Sequence, residues 1–391
     1  VCPNGRAGST PVSGTIDLIF PKLFYHMKIL LIEPYYTGSH RQWADGYQKY
    51  SQHEIKILSM KGQFWKWRMH GGAITLAKEF NKMDWLPDLI LATDMLDLTT
   101  FLSLTRERSY NIPTAIYFHE NQISYPWSPD DRDIKNKRDT HYGFINYSSA
   151  LSADKVFFNS EFHMHSFLKD LHPFLKQFPD HQELGSIDNI YNKSEVLYLG
   201  MELQRFDKHK IDNPNERPLI LWNHRWEYDK NPELFFSVLE KLKNSGIDFS
   251  LAVLGENFNR SPSIFDQAKE NFKDNIIQWG YTESFNQYAE WLWKADILPV
   301  TSNQEFFGAS VMEAIYCQIW PILPYRLTYP ELISSNDNEE NFYKNEDELY
   351  SKIIRAIDNT KKDNKSNLKS IAKKFDWKYM GPIYDKLLAS I

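Results

Sequence analysis

The chain has 391 residues, enough for two or three domains with sizeable cores, which excludes a peptide hormone or a mini-scaffold. Hydrophobic residues make up 42% and charged residues 25%, as in soluble globular proteins, and no apolar run approaches the roughly 18 residues that cross a bilayer, so no integral membrane association is expected. A net charge of −6 confines any nucleic-acid binding to a local basic patch, and two cysteines, Cys2 and Cys317, are too few for a disulfide framework, which points to the cytoplasm.

Residues 1–26 hold Gly, Ser, Thr and Pro around a short apolar patch, Ile16 to Phe20. No basic region leads that patch and no small-residue cleavage pattern follows it, so it reads as a disordered or non-native upstream extension rather than a secretory signal. From Met27, short apolar runs alternate with longer segments of helical period: Ile29 to Ile32, Leu89 to Ala92, Ala115 to Phe118, Val156 to Phe158 and Val196 to Leu199. Buried parallel strands read this way. After a polar stretch from Asp207 to Pro218 the pattern restarts with Leu219 to Trp222, Leu251 to Leu254, Ile276 to Trp279, Ile297 to Val300 and Ile322 to Leu323. The reading is an α/β chain with Rossmann-like β/α/β domains at 27–205 and 217–370, facing across a cleft at the carboxyl ends of their strands. Asn336 to Asp347 and Lys361 to Lys365 read as charged surface loops, and residues 371–391 as a closing segment with helical spacing over Trp377 to Leu388. Aromatic residues reach 15%, which allows stacking surfaces for rings or sugars, although large cores use the same residues.

The strongest chemical signal is Glu305-Phe-Phe-Gly308-Ala-Ser-Val-Met-Glu313, directly after an apolar run and opening a helix. Glu305 falls in the strand-to-helix loop and Glu313 inside the helix, with the free N–H groups of Phe307, Gly308 and Ala309 between them. A diphosphate suits such a helix start, and a carboxylate further on can accept two hydrogen bonds from a ribose diol. The plain alternative is a glycine-opened helix with solvent-facing acids. A second signal, Asn223-His-Arg225-Trp-Glu-Tyr-Asp-Lys230, offers a forked donor and a point charge to the same diphosphate, unless Arg225 and Lys230 simply pair with Glu227 and Asp229.

In the first half, Gly38-Ser39-His40 and Phe118-His119-Glu120-Asn121-Gln122 follow apolar runs and put polar side chains at the expected cleft edge. Metal signals are poor: Asp131-Arg-Asp133 and His163-Met-His165 lack further ligands at convincing spacing and read as surface features. Basic and aromatic residues interleave from Lys61 to His70, including Trp67 and Arg68, and basic residues recur from Arg132 to His141, including Lys135, Lys137 and Arg138. This mixture suits single-stranded nucleic acid, and equally a Trp-anchored loop with solvated charges.

Taken together, Tyr117-Phe-His-Glu-Asn-Gln122, Lys66-Trp-Arg-Met69, His224-Arg-Trp-Glu-Tyr-Asp-Lys-Asn-Pro-Glu233, Val253-Leu-Gly-Glu256 and Glu305-Phe-Phe-Gly308 resemble the tRNA-queuosine alpha-mannosyltransferase family, within the family 4 retaining glycosyltransferases of GT-B fold. The resemblance spans nearly all of residues 27–380. It implies mannosyl transfer from GDP-mannose to queuosine at the wobble position of tRNA-Asp, with retention, no cofactor and no metal requirement. By position, Arg225 and Lys230 would hold the diphosphate, Glu313 the ribose, and Gly38 and Ser39 the donor phosphate region. Gly255, Phe306, Phe307 and Gly308 would border the donor, and Trp279-Gly-Tyr281 would meet the guanine. Glu305 would contact the donor mannose and His119 the reacting sugar, with Glu120, Asn121, Gln122, Tyr125, Trp67 and Arg68 on the acceptor side. A family 4 transferase acting on a glycan or lipid, and a non-catalytic tRNA or nucleotide-sugar binder, are the alternatives.

Overall fold

The apolar runs pair into two fully parallel six-stranded sheets. The computed structural model describes residues 26–128, 131, 133, 140–211, 215–255, 262–360 and 368–391. The upstream segment through residue 25, the basic residues Arg132, Lys135, Lys137 and Arg138, Glu256 and the loop at 361–365 lie outside the described residues. The first sheet comprises β1 (Lys28–Tyr36), β2 (Glu54–Lys61), β3 (Leu89–Thr93), β4 (Thr114–Phe118), β5 (Lys155–Phe158) and β6 (Ser194–Val196), in the order β2-β1-β3-β4-β5-β6. The second comprises β7 (Leu219–Trp222), β8 (Ser250–Val253), β9 (Ile276–Trp279), β10 (Ile297–Pro299), β11 (Trp320–Pro324) and β12 (Phe342–Tyr343), in the order β12-β11-β10-β7-β8-β9.

Both orders reverse direction once, between β1 and β3 in the first sheet and between β7 and β10 in the second. At such a switch point the loops leaving neighbouring strands turn to opposite faces and open a crevice. The segments after β1, β3 and β4 therefore face those after β7 and β10, which brings Ser39 and His119 to the same cavity as Arg225, Lys230 and Glu305.

Several elements depart from the sequence reading for physical reasons. β2 carries Lys and Glu at alternate positions because it is an edge strand with one side packed, so no continuous apolar run announces it. Residues 196–199 supply only the end of β6; Leu197 and Leu199 are buried by side-chain packing, with the Tyr117 hydroxyl donating to the Leu197 carbonyl at 3.0 Å. The stretch 336–347 is not simply a surface loop, since it contains β12, whose Phe342 and Tyr343 are buried. Trp43, Trp222 and Trp377 are fully buried, so much of the aromatic excess belongs to packing.

The final helix, Trp377–Leu388, returns to the first half and lies on the helix Gly38–Tyr50. Met201 exchanges backbone hydrogen bonds of 2.8 Å with Phe375 and Trp377, which delivers the Trp377 indole between Gly46 and Gly200. A β-carbon on Gly46 would stand 2.0 Å from Trp377 Nε1, and one on Gly200 2.5 Å from the ring, so both positions need glycine for the close approach. Asp385, buried beside it, accepts from Tyr47 Oη at 3.0 Å, Ser51 Oγ at 2.6 Å and the Gln52 amide at 2.8 Å.

Candidate active site

After β7 the chain makes a 3-10 turn, Tyr228–Lys230, and Asn231 adopts a left-handed conformation (φ 52°) to cap the helix Pro232–Asn244. That turn is stitched to the loop after β10: the Asn303 amide donates to the Asp229 carbonyl at 2.7 Å and Thr301 Oγ1 to the Lys230 carbonyl at 2.9 Å. Lys230 is thereby turned inward, its Nζ 3.0 Å from the Gln304 carbonyl, 3.2 Å from Glu305 Oε2 and 3.1 Å from Asp229 Oδ2. Burial opposes charge on all three groups. Glu305 and Asp229 outweigh it to raise the Lys230 pKa, while Lys230 holds Glu305 and Asp229 below the ordinary carboxylate values. His224, buried beside this cluster, is pushed down to about 4 by burial and then by Lys230, and stays neutral.

A cavity of about 130 Å³ lies over this cluster, with Arg225, Lys230, Glu305 and Gly308 on one wall and Ser39, His40, His119, Glu120 and Tyr125 on the other. Arg225 is half exposed and 3.4 Å from Glu227, so its guanidinium is available to the cavity. His119 is held by its backbone, which donates to Asp94 Oδ1 at 2.8 Å and accepts from Asn159 Nδ2 at 2.9 Å. Its buried Nε2 has no hydrogen-bond partner among the described residues, and burial, then His40 and His163, keep its pKa well below the usual value. The imidazole is neutral and carries an unmatched polar atom at the cavity.

A second cavity of about 170 Å³ shares Ser39, Leu199 and Ala309 with the first and reaches Glu313 and Arg205. Glu313 accepts from Tyr288 Oη at 2.8 Å and from Arg205 Nη2 at 3.4 Å. Gly308 (φ 84°) opens the helix Ala309–Tyr316 between the two acids, so one helix start separates Glu305 from Glu313. The halves meet around this site through Tyr125 Oη to Asp229 at 3.1 Å, Tyr228 Oη to the Pro126 carbonyl at 2.7 Å, and Ser160 Oγ to the Phe306 carbonyl at 2.6 Å.

Residues 28–201 match the model described as tRNA-queuosine alpha-mannosyltransferase N-terminal, and residues 204–375 match that of glycosyl transferases group 1. A tRNA-queuosine alpha-mannosyltransferase of Drosophila melanogaster is 33% identical over 334 residues, covering 83% of this chain and 85% of that protein. The chain belongs to the tRNA-queuosine alpha-mannosyltransferase family. It is a glycosyltransferase. Solved structures agree on the GT-B fold. A sucrose-phosphate synthase from Thermosynechococcus elongatus aligns with TM-score 0.67 at 14% identity, over 94% of this chain and 100% of that one. A glycosyltransferase from Rickettsia africae aligns with TM-score 0.62 at 17% identity, over 94% and 98%.

The transferase places its remaining sequence-predicted residues unevenly. Gly38 (φ 50°) opens the helix that carries Ser39, and Gly255 (φ 120°) lets the turn after β8 approach the His224 carbonyl, which an added β-carbon would meet at 2.0 Å. Tyr281 is exposed beside Gly280. Phe306 and Phe307 are buried: the His163 ring stacks on Phe306 at 3.9 Å and Phe307 packs on Phe375. Glu120 lines the cavity and accepts from Gln122 Nε2 at 3.1 Å.

Asn121 is a correction, because it is fully buried and its Oδ1 accepts from the Ile123 and Ser124 amides at 3.0 and 2.8 Å, shaping the turn. His163 is another; it is a buried ring against Phe158 and Phe306, with Nδ1 2.8 Å from Asn159 Oδ1, and not a surface feature. Trp67 and Arg68 lie on the helix Trp65–Phe80, away from the cavity lining; Trp67 is 62% exposed and Arg68 Nε donates to the Lys61 carbonyl at 3.0 Å. Neighbouring Lys66 is engaged by Asp131 at 2.7 Å and by Asp133, beneath Trp65 and Trp127, so those two acids serve an ion pair and that lysine is not a free phosphate contact. Sequence reasoning placed His40 at the cleft edge without a specific task and gave no role to Glu33 or Asp94. The available signal was an acid closing the apolar run Ile29 to Ile32 and another just past β3.

Proposed function

We propose that the protein transfers mannose from GDP-mannose to queuosine at the wobble position of tRNA-Asp, with retention of anomeric configuration. The observation that carries this reading is the meeting of Arg225, Lys230, Glu305 and the unmatched His119 Nε2 on one cavity in a member of this family. In the transfer, the bond between the anomeric carbon and the phosphate oxygen breaks, and its electron pair leaves with the diphosphate. The acceptor oxygen bonds to the anomeric carbon from the same face and its proton passes to the departing phosphate. Arg225 and Lys230 answer the negative charge on the diphosphate, and Glu305 the positive charge on the sugar. Glu313 receives the ribose hydroxyls, and His119 Nε2 hydrogen-bonds a sugar hydroxyl.

Two protein cations at the diphosphate supply the role a divalent ion takes elsewhere, so no cofactor is assigned and a chelator leaves turnover intact. An RNA acceptor sets the reaction in the cytoplasm, and no described helix is long and apolar enough to cross a membrane. The test is GDP release from GDP-mannose, compared with other nucleotide sugars, by the intact protein and by Arg225→Ala and Glu305→Ala. Each variant lowers turnover by roughly 100-fold or more, on the order of 2.7 kcal/mol in the barrier. Near-normal turnover by both folded variants would refute the site assignment.

A further inference from the structure

Glu33 lies next to the end of the buried stretch of β1, before Pro34, and is fully buried, which a carboxyl group tolerates only when its oxygens find partners. Its Oε1 accepts the Tyr35 amide at 2.8 Å and its Oε2 lies 3.0 Å from His40 Nδ1. His40, itself buried, stands in the first turn of the helix Gly38–Tyr50 and lines the transfer cavity. A cation in a first helical turn opposes the helix dipole, so stability of the helix alone would favour an acid there. The His40 ring also lies 4.3 Å from that of His119, where two imidazolium charges could not coexist cheaply.

We propose that Glu33 is a positioning residue that holds His40 as an imidazolium on the first-sheet wall of the cavity, a third cation facing the departing diphosphate beside Arg225 and Lys230. The groups facing His40 sort the protons accordingly. Burial opposes its charge, but Glu33, then Asp94 and Glu120, outweigh it and raise the His40 pKa to about 9, whereas His119 is held neutral. Neighbouring titratable groups with pKa values driven apart are a signature of divided roles. Because the folded value exceeds the ordinary 6.5, the pair's stabilising contribution is complete below that pH and lost as pH rises through about 9. Glu33, His40 and His119 also offer ligand atoms within 4.8 Å of one another, and on this proposal the shared proton occupies the place a metal ion would take.

The inference rests on this cavity being the transfer site. Its test combines nitrogen-15 NMR of the histidine rings with the pH dependence of kcat in the intact protein, Glu33→Gln and Glu33→Asp. The His40 ring of the intact protein is expected to carry protons on both nitrogens at about pH 7.5, with an alkaline limb in kcat near 9. Glu33→Gln neutralises most of the ring population at that pH and moves the alkaline limb down by roughly two pH units, which lowers kcat at about pH 8 some tenfold, and Glu33→Asp restores most of it. A neutral His40 in the intact protein overturns the inference even if Glu33→Gln fails to fold, as does an unshifted limb in Glu33→Gln or a stoichiometric metal ion lost in that variant. Unaffected turnover in Arg225→Ala and Glu305→Ala would instead overturn the site assignment.

Discussion

Replacing Lys230 by methionine removes one buried cation and leaves the buried Asp229 and the partly buried Glu305 facing each other without it. Lys230 Nζ now stands 3.1 and 3.2 Å from them, and its side chain is only 9% exposed. Breaking a buried pair from one side costs about 3–5 kcal/mol, a large share of the roughly 5–15 kcal/mol that holds a domain folded. The pH dependence gives the sharper signature. In the intact protein both acids sit below their ordinary pKa values, so their stabilising contribution is present above those values and lost as pH falls through the lowered ones. In Lys230→Met burial acts unopposed by that cation, the two pKa values rise, and stability is lost as pH increases. The gap between variant and intact protein in urea unfolding should therefore widen from about pH 5 to about pH 7.5. A gap below about 1 kcal/mol at the higher pH, or one that narrows as pH rises, would refute the charge arrangement.

Gly46→Ala drives a β-carbon into Trp377, whose burial contributes roughly 4–6 kcal/mol as an upper bound; the variant should lose about 1–3 kcal/mol in thermal or denaturant unfolding, and an unchanged midpoint would contradict the docking of the last helix. Gly255→Ala must displace the His224 carbonyl and with it the Arg225 loop, so the KM for the donor should rise while the acceptor KM stays unchanged in steady-state kinetics. Trp67→Ala should weaken acceptor RNA by about 1–3 kcal/mol in a salt-dependent binding assay and leave donor hydrolysis untouched, whereas equal RNA affinity would remove this exposed ring from the acceptor surface.

The buried parallel strands were legible because both of their faces are covered, which writes them as unbroken apolar runs such as Leu89 to Ala92 and Leu219 to Trp222. β2 was not, since an edge strand alternates and its lysines resemble a polar loop. The convergence of Arg225, Lys230 and Glu305 was legible as well, because residues just past strand ends at a switch point must share a crevice. Side-chain direction was not. Asn121 and Lys66 sit inside polar or basic motifs, yet one turns into its own loop and the other into Asp131 and Asp133, partners that no local spacing reveals. Glu33 and His40 form a buried pair across a strand and a helix start, an arrangement in which only the fold brings the acid to the ring.

The central claim is tested most directly by mass spectrometry of the nucleosides of queuosine-containing tRNA incubated with the protein and GDP-mannose, beside queuosine-free tRNA and other sugar donors. The expected result is one hexose added to queuosine alone and from GDP-mannose alone. Unmodified queuosine, with the donor still bound or slowly hydrolysed, would contradict the acceptor assignment and leave a GT-B glycosyltransferase whose acceptor must be sought among glycans and lipids.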